Sequence, residues 1–307
     1  MKKKVFIIGN GFDLDLGWKT RYKDFVDSDY WPLKENNPNC DMARYLVEST
    51  NVDRWFDLEA ILKSYALDTP FNQFDADPKD EAFFTDLKQS LIAYLKTEEV
   101  KTIDERSLAI QVLKAVIDNG YFTSIYTFNF TDLYKIAEKA NLHSNFDYES
   151  VHGTLGNSSI ILGVDDQCKL RNGFAFLRKV FSEHYRPHHI HYDLQECDEV
   201  VFFGHSLGDI DYPYFKDFFE KQSHCYNSND CKYITIFTKD NNSRIQILEQ
   251  LRSMNEGQTE RLLNDNKFKI IMTDNPNKGD LNEFFNHLAK DSVATYNRSF
   301  KSRIRIL

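Results

Sequence analysis

Four short stretches combine glycine, asparagine, histidine, serine and aspartate as binding and catalytic sites use them. They are Gly9-Asn10-Gly11-Phe12-Asp13, Thr127-Phe128-Asn129-Phe130-Thr131-Asp132, Val151-His152-Gly153 and Gly204-His205-Ser206-Leu207-Gly208-Asp209-Ile210-Asp211. Glycines after a strand permit positive φ and let backbone N–H groups approach a phosphate, and a following helix N-terminus adds favourable partial charge. The full dinucleotide fingerprint wants a third glycine, where this chain has Leu14, and an acidic residue ending a second strand. On its own the turn reads first as turn chemistry and second as a phosphate loop. Asn129, like Thr131, could cap the helix that follows. His152 could be a general base, since imidazole titrates near neutrality, or a turn histidine bonded to backbone. Ser206 lies in a G-x-S-x-G pattern that fits the nucleophile elbow of α/β-hydrolases, a reading that requires a downstream histidine, His224 or His287.

Other clusters read as structure. Trp55-Phe56-Asp57-Leu58-Glu59 has helical apolar spacing and fits a core edge better than a pair of catalytic carboxylates. Pro187-His188-His189-Ile190-His191 lacks the i, i+4 spacing that puts two metal ligands on one helix face, and reads as a surface loop. The five cysteines, Cys40, Cys168, Cys197, Cys225 and Cys231, are odd in number and scattered, which suits reduced thiols. Cys225 and Cys231 are not spaced as a zinc ribbon, so no metal is expected.

The elements that must position these residues follow from hydrophobic patterning. Lys4 to Ile8 reads as a buried strand entering the glycine turn. From about Tyr22 to Asn119 apolar residues recur at threes and fours, and Asp118-Asn119-Gly120 supplies a stop. Beyond it, strands expected at Phe122 to Thr127, Ile160 to Gly163, Glu199 to Phe203, Tyr233 to Thr238 and Lys269 to Met272 alternate with helical stretches. Those helices are expected at about Thr131 to Ala140, Phe174 to Tyr185, Tyr212 to Gln222, Ser243 to Asn255 and Leu281 to Lys290. The pattern predicts an α/β fold with a doubly wound, Rossmann-like parallel sheet and a helical insertion after the first strand. Residues 1–21 and 120–307 would form the sheet domain, and 22–119 the insertion or subdomain. In such sheets ligands bind beyond the carboxyl ends of the strands, where three of the four stretches fall.

The 307 residues, 41% hydrophobic and 28% charged, can bury a sizeable core. A net charge of −9 argues against a protein whose main work is gripping nucleic acid. No run of eighteen apolar residues occurs, and the apolar part of MKKKVFIIGNGFDLDLG is too short for a signal sequence, so a cytoplasmic protein without membrane contact is expected.

Together and in this order, the pieces resemble the AbiH family of phage abortive-infection proteins: IIGNGFDLDLGWKTRYKDF resembles its opening signature, and WFDLE, TFNFTD, VHG and FGHSLGDIDYPYF its later motifs. They also resemble the wider sirtuin-like group, which has a glycine turn, an asparagine turn, a histidine-glycine and a G-x-S-L turn in the same order. That resemblance implies catalytic roles for Asn129 and His152. It places Gly9, Asn10, Gly11, Phe12, Thr127, Gly204 and Ser206 around a nucleotide, with Asp13, Asp209 and Asp211 as supporting polar groups. The implied ligand is NAD, as substrate or sensed molecule, and the implied reaction is its hydrolysis to nicotinamide and ADP-ribose during phage infection. The resemblance also leaves room for a phage-derived trigger or partner protein and for a homo-oligomer. Trp18-Lys19 departs from the Leu-Pro of the AbiH pattern, which alters the loop over the nucleotide. The zinc-binding cysteine pairs of the deacetylase sirtuins are absent, which argues against deacetylation.

Overall fold

The computed structural model describes residues 3–35, 38–52, 57–67, 75–118, 120, 122–142, 146–225 and 230–290. Trp55 and Phe56 of the WFDLE stretch, and Asn119 of the stop signal, lie outside them. The sheet has six parallel strands: β1 (Lys3–Ile8), β2 (Ser124–Thr127), β3 (Glu149–Ser150), β4 (Cys197–Phe203), β5 (Tyr233–Thr238) and β6 (Lys267–Met272). Their order is β3-β2-β1-β4-β5-β6, the doubly wound arrangement. The order reverses between β1 and β4, the point at whose carboxyl side sheets of this kind bind their ligands.

Both faces of the sheet are covered, which is why the central strands are apolar throughout rather than alternating. Val5, Phe6, Ile7 and Ile8 of β1 and Val200 to Phe203 of β4 are essentially inaccessible. One face packs on α1 (Gly11–Asp15), α6 (Leu108–Asp118), α7 (Leu133–Lys139) and the helical residues 278–290. The other carries α8 (Ile190–Glu196), α9 (Tyr212–Gln222), α10 (Asn241–Met254) and α11 (Thr259–Asp265). A third cluster joins α2 (Tyr22–Val26), α3 (Asp41–Val52), α4 (Leu58–Ala66) and α5 (Asp80–Glu99) to the loop region around Leu155, Ile160, Phe174 and Leu177. Among the described residues no helix is long and apolar enough to cross a membrane.

Two expected elements take other forms. Residues 160–163 are buried but form no strand, because their backbone bonds to loops: Ile161 N–H donates to the His152 carbonyl, and Val164 pairs with Leu177 and Lys179. The third strand is instead the two-residue β3, just before His152. The helix expected over 174–185 is a pair of 3₁₀ turns, Ala175–Leu177 and Lys179–Phe181, separated by the extended backbone of Arg178.

The turns after β1 and β4 are locked together by backbone. Gly9 N–H donates to the Phe203 carbonyl (3.0 Å), and Gly11 N–H to the Gly204 carbonyl (2.8 Å). A Cβ on Gly9 would lie 2.5 Å from the His205 Cα, and one on Gly11 2.6 Å from the Gly204 Cα. Gly204 itself has φ +66°, a conformation glycine adopts without cost. Glycine is therefore required here for close packing of two turns, whether or not a ligand binds. We expect Gly11→Ala to lower unfolding free energy by about 3 kcal/mol, in chemical denaturation with or without nucleotide. A variant as stable as wild type would mean the two turns can separate freely.

Candidate functional site

The residues of the four stretches meet at the carboxyl edge of the sheet, in two neighbouring clusters. The first is built around Asp13, which α1 carries inward and which is 1% exposed. The Asn129 amide, arriving from the end of β2, donates to Asp13 Oδ1 (2.8 Å) and to the Gly9 carbonyl (3.1 Å). Thr131 Oγ1 donates to the other Asp13 oxygen (2.9 Å). Asn129 and Thr131 thus tie the second strand to the glycine turn, and neither caps a helix. The cap of α7 is Asp132, whose carboxylate accepts from Tyr134 N–H (2.9 Å). Thr127 Oγ1 accepts from Asn129 N–H and sets the turn. Phe12 lies in the core against Phe203, and Asn10 is exposed, its side chain accepting from the Thr20 hydroxyl.

The second cluster centres on Asp211. This residue sits at the N-cap position of α9 but makes no cap hydrogen bond, because its carboxylate turns to two histidines. His152 Nε2 lies 2.9 Å from Asp211 Oδ1, and His205 Nε2 lies 3.4 Å from Oδ2. His205 Nδ1 accepts from Leu207 N–H (3.0 Å), so its proton is on Nε2, facing the carboxylate. Lys179, from the second 3₁₀ turn, places Nζ 3.3 Å from His152 Nε2 and 3.1 Å from Glu59 Oε1. Glu59 Oε1, on α4, also accepts from Gly163 N–H (3.1 Å). His152, His205, Lys179 and Glu59 are all less than 9% exposed. The ring of Phe128, next to Asn129 in the chain, packs edge-on against His152 (5.2 Å) and His205 (4.5 Å).

Electrostatics separates the carboxyl groups. Burial would raise Asp211, but the charge and hydrogen bonds of His152, with His205 and Lys179, hold it well below the usual range. Glu59 goes up: burial outweighs the attraction of Lys179 and His152, and Asp211 and Asp57 add repulsion. Asp57, which caps α4, is likewise raised, chiefly by burial. His188 is pushed down to about 4 by burial and by the neighbouring His191, His152 and His189. Its ring nitrogens have no hydrogen-bond partner, and the ring packs against Tyr214 at 5.2 Å. Among the described residues no group of three or more His, Cys, Asp or Glu side chains is arranged to hold a metal ion.

Ser206 is exposed, and its hydroxyl accepts from Gly208 N–H (3.3 Å). The positive φ of an elbow falls on the buried Leu207 instead (+54°). The two downstream histidines are at the other edge of the sheet. His287 pairs with Glu199 near the start of β4 (3.1 Å), where Glu199 also binds Lys4, and His224 follows the far end of α9. The hydrolase reading thus lacks its base. Asp209 is exposed beside the cluster. In the sequence Glu59 reads as part of a core edge, and neither His205 nor Lys179 stands out as a site residue. The WFDLE motif could have pointed to Glu59, whereas a lone lysine among apolar residues carries no signal.

Burial pushes Asp13 from 3.8 up to about 7, against the hydrogen bonds from Thr131 and Asn129 and with repulsion from Glu99. A carboxyl raised on folding stabilises fully below its unfolded value, and that stability is lost as pH rises through the folded value. Stability measured between pH 4 and 7 should therefore fall with rising pH by about 1 kcal/mol per unit more in wild type than in Asp13→Asn. Parallel curves for the two proteins would mean Asp13 ionises normally in the fold.

No curated protein matches the chain. A profile described as bacteriophage abortive infection AbiH matches residues 5–229, a span that includes both clusters, most of β1 and all of β2 to β4. On that match, covering well over half of the 307 residues, the chain belongs to the AbiH family of bacteriophage abortive-infection proteins.

Proposed function

We propose that this abortive-infection protein binds NAD or a related nucleotide at the carboxyl edge between β1 and β4 and hydrolyses its nicotinamide–ribose bond. The observation that carries the reading is the His152–Asp211 pair, with His205 on the second carboxylate oxygen. A proton on His152 Nε2, donated to Asp211, leaves Nδ1 as a proton acceptor, and the ionised Asp211 stabilises the imidazolium formed when Nδ1 takes a second proton. In the reaction, water oxygen bonds to the ribose carbon as the bond to the ring nitrogen breaks. The electron pair leaves with nicotinamide, and the water proton goes to His152. Lys179, paired with Glu59, acts on the other side of the pair, its charge helping to keep Asp211 ionised from 3.9 Å.

The fit to a nucleotide is uneven along the edge. The Gly9 and Gly11 amides are bonded to the β4 side, and the space beside both glycines is filled by Gly204 and His205. Phosphate recognition by a glycine cradle is therefore not part of the reading, and the nucleotide is assigned to the carboxyl edge beside His152, His205 and Asp211. Asn129, with its amide on Gly9 and Asp13, acts by fixing that border.

A second reading, in which the nucleotide is sensed and not consumed, is favoured by the burial of His152, 4% exposed. Incubation of the purified protein with NAD and separation of products distinguishes the two. We expect nicotinamide and ADP-ribose, with His152→Ala lowering the rate roughly a hundred- to ten-thousand-fold. Ser206→Ala should retain turnover within a few-fold. Stoichiometric NAD binding without nicotinamide release, by wild type, would select the sensing role, and unchanged turnover in His152→Ala would remove this histidine as the base.

A further inference from the structure

Two of the five cysteines are set apart from the others. Cys40, Cys168 and Cys197 are buried, and burial raises their thiols to about 11, 11 and 12. Cys168 donates to Asp165 (3.0 Å) and Cys197 to the Leu194 carbonyl (3.2 Å). These three are packed thiols. Cys225 and Cys231 are only half-buried, and their sulfurs lie 4.0 Å apart. The approach is built by a side chain from elsewhere: the buried Asn266, just before β6, donates to the Gln222 carbonyl at the end of α9 (2.9 Å). It also accepts from Lys232 N–H at the start of β5 (3.0 Å). The chain on the outer side of each cysteine is thereby pinned to one residue, which keeps the thiols adjacent at the amino-terminal edge of the sheet, opposite the His152–Asp211 cluster.

We propose that Cys225 and Cys231 are a reversible oxidation site that closes to an intramolecular disulfide on exposure to a peroxide. One thiolate attacks the peroxide and is oxidised to a sulfenic acid, and one peroxide oxygen leaves as water. The second thiolate displaces the sulfenic oxygen, again as water, forming the sulfur–sulfur bond. Two thiols and one hydrogen peroxide give one disulfide and two waters, and a dithiol reductant reverses the change. The pair needs only about 2 Å of approach to reach bonding distance, and both residues are partly open to solvent, which admits the oxidant.

The test uses the full chain treated with hydrogen peroxide, alkylated after unfolding, and digested for mass spectrometry. The expected product of a tryptic digest is the single peptide 222–232 that carries both Cys225 and Cys231, unalkylated and two hydrogens lighter than its reduced form. It disappears with dithiothreitol, while Cys40, Cys168 and Cys197 remain alkylated. In Cys225→Ser no intramolecular bond forms, and Cys231 is trapped as a sulfenic acid by dimedone, which shows that the oxidant reaches the site. The proposal is overturned if wild type, under peroxide that labels Cys231 in that variant, keeps both thiols alkylatable. Cross-links exclusively between chains would overturn it equally.

Discussion

The close backbone contact between the turns that end β1 and β4 governs the geometry of the whole carboxyl edge. With Gly9 and Gly11 lying directly on Gly204 and His205, the two strands flanking the topological switch point cannot shift independently. Asn129 extends the constraint to β2 through the Gly9 carbonyl and Asp13. His205 therefore reaches Asp211, and His152 meets the same carboxylate from the short third strand, on a frame whose three supporting turns are fixed relative to one another.

The second constraint is electrostatic. Taking a lysine and two carboxylates out of water costs several kcal/mol per ion, and the two histidines beside them must also be hydrogen-bonded, so such groups persist only where each has an opposite charge or a hydrogen bond. Glu59 accepts from Lys179 and from a backbone amide, Lys179 reaches His152, and Asp211 takes both histidines. Lys179 faces Glu59 on one side and Asp211 (3.9 Å) on the other, so α4, the loop carrying Lys179 and the start of α9 are held together by charge as well as by apolar contact. This arrangement makes the helical segment part of the site's electrostatics.

Much of the frame was legible because its signals are local. The apolar runs of β1, β4 and β5, the glycine turn and the amphipathic helices each identify themselves within a few residues. The third strand was not legible, since two residues carry no periodicity, and the apolar run at 160–163 imitated a strand while its backbone bonds to loops. Of the site, Asn129, His152 and Asp211 were found through motifs in an order shared with a family. Their relation to one another, and the membership of Glu59 and Lys179, depend on contacts between segments far apart in the chain, such as His152 with Asp211, 59 positions away, and Lys179 with Glu59. The reading of Asn129 as a helix cap failed for a similar reason: its partners lie 116 and 120 positions away.

The pairing of β1 with β4 also bears on when the protein comes into being. Lys4 and Glu199, bonded in the finished sheet, are 195 positions apart, and Asp211 is further along still. A growing chain therefore carries an apolar first strand whose central partner is unmade until those 195 further positions have been added, and contacts of that span form slowly. Nascent and truncated chains that end before β4 have no Asp211 to face His152. The edge at which His152, His205 and Asp211 meet is thus absent until β4 and the start of α9 have been made, and arises as a property of the assembled sheet.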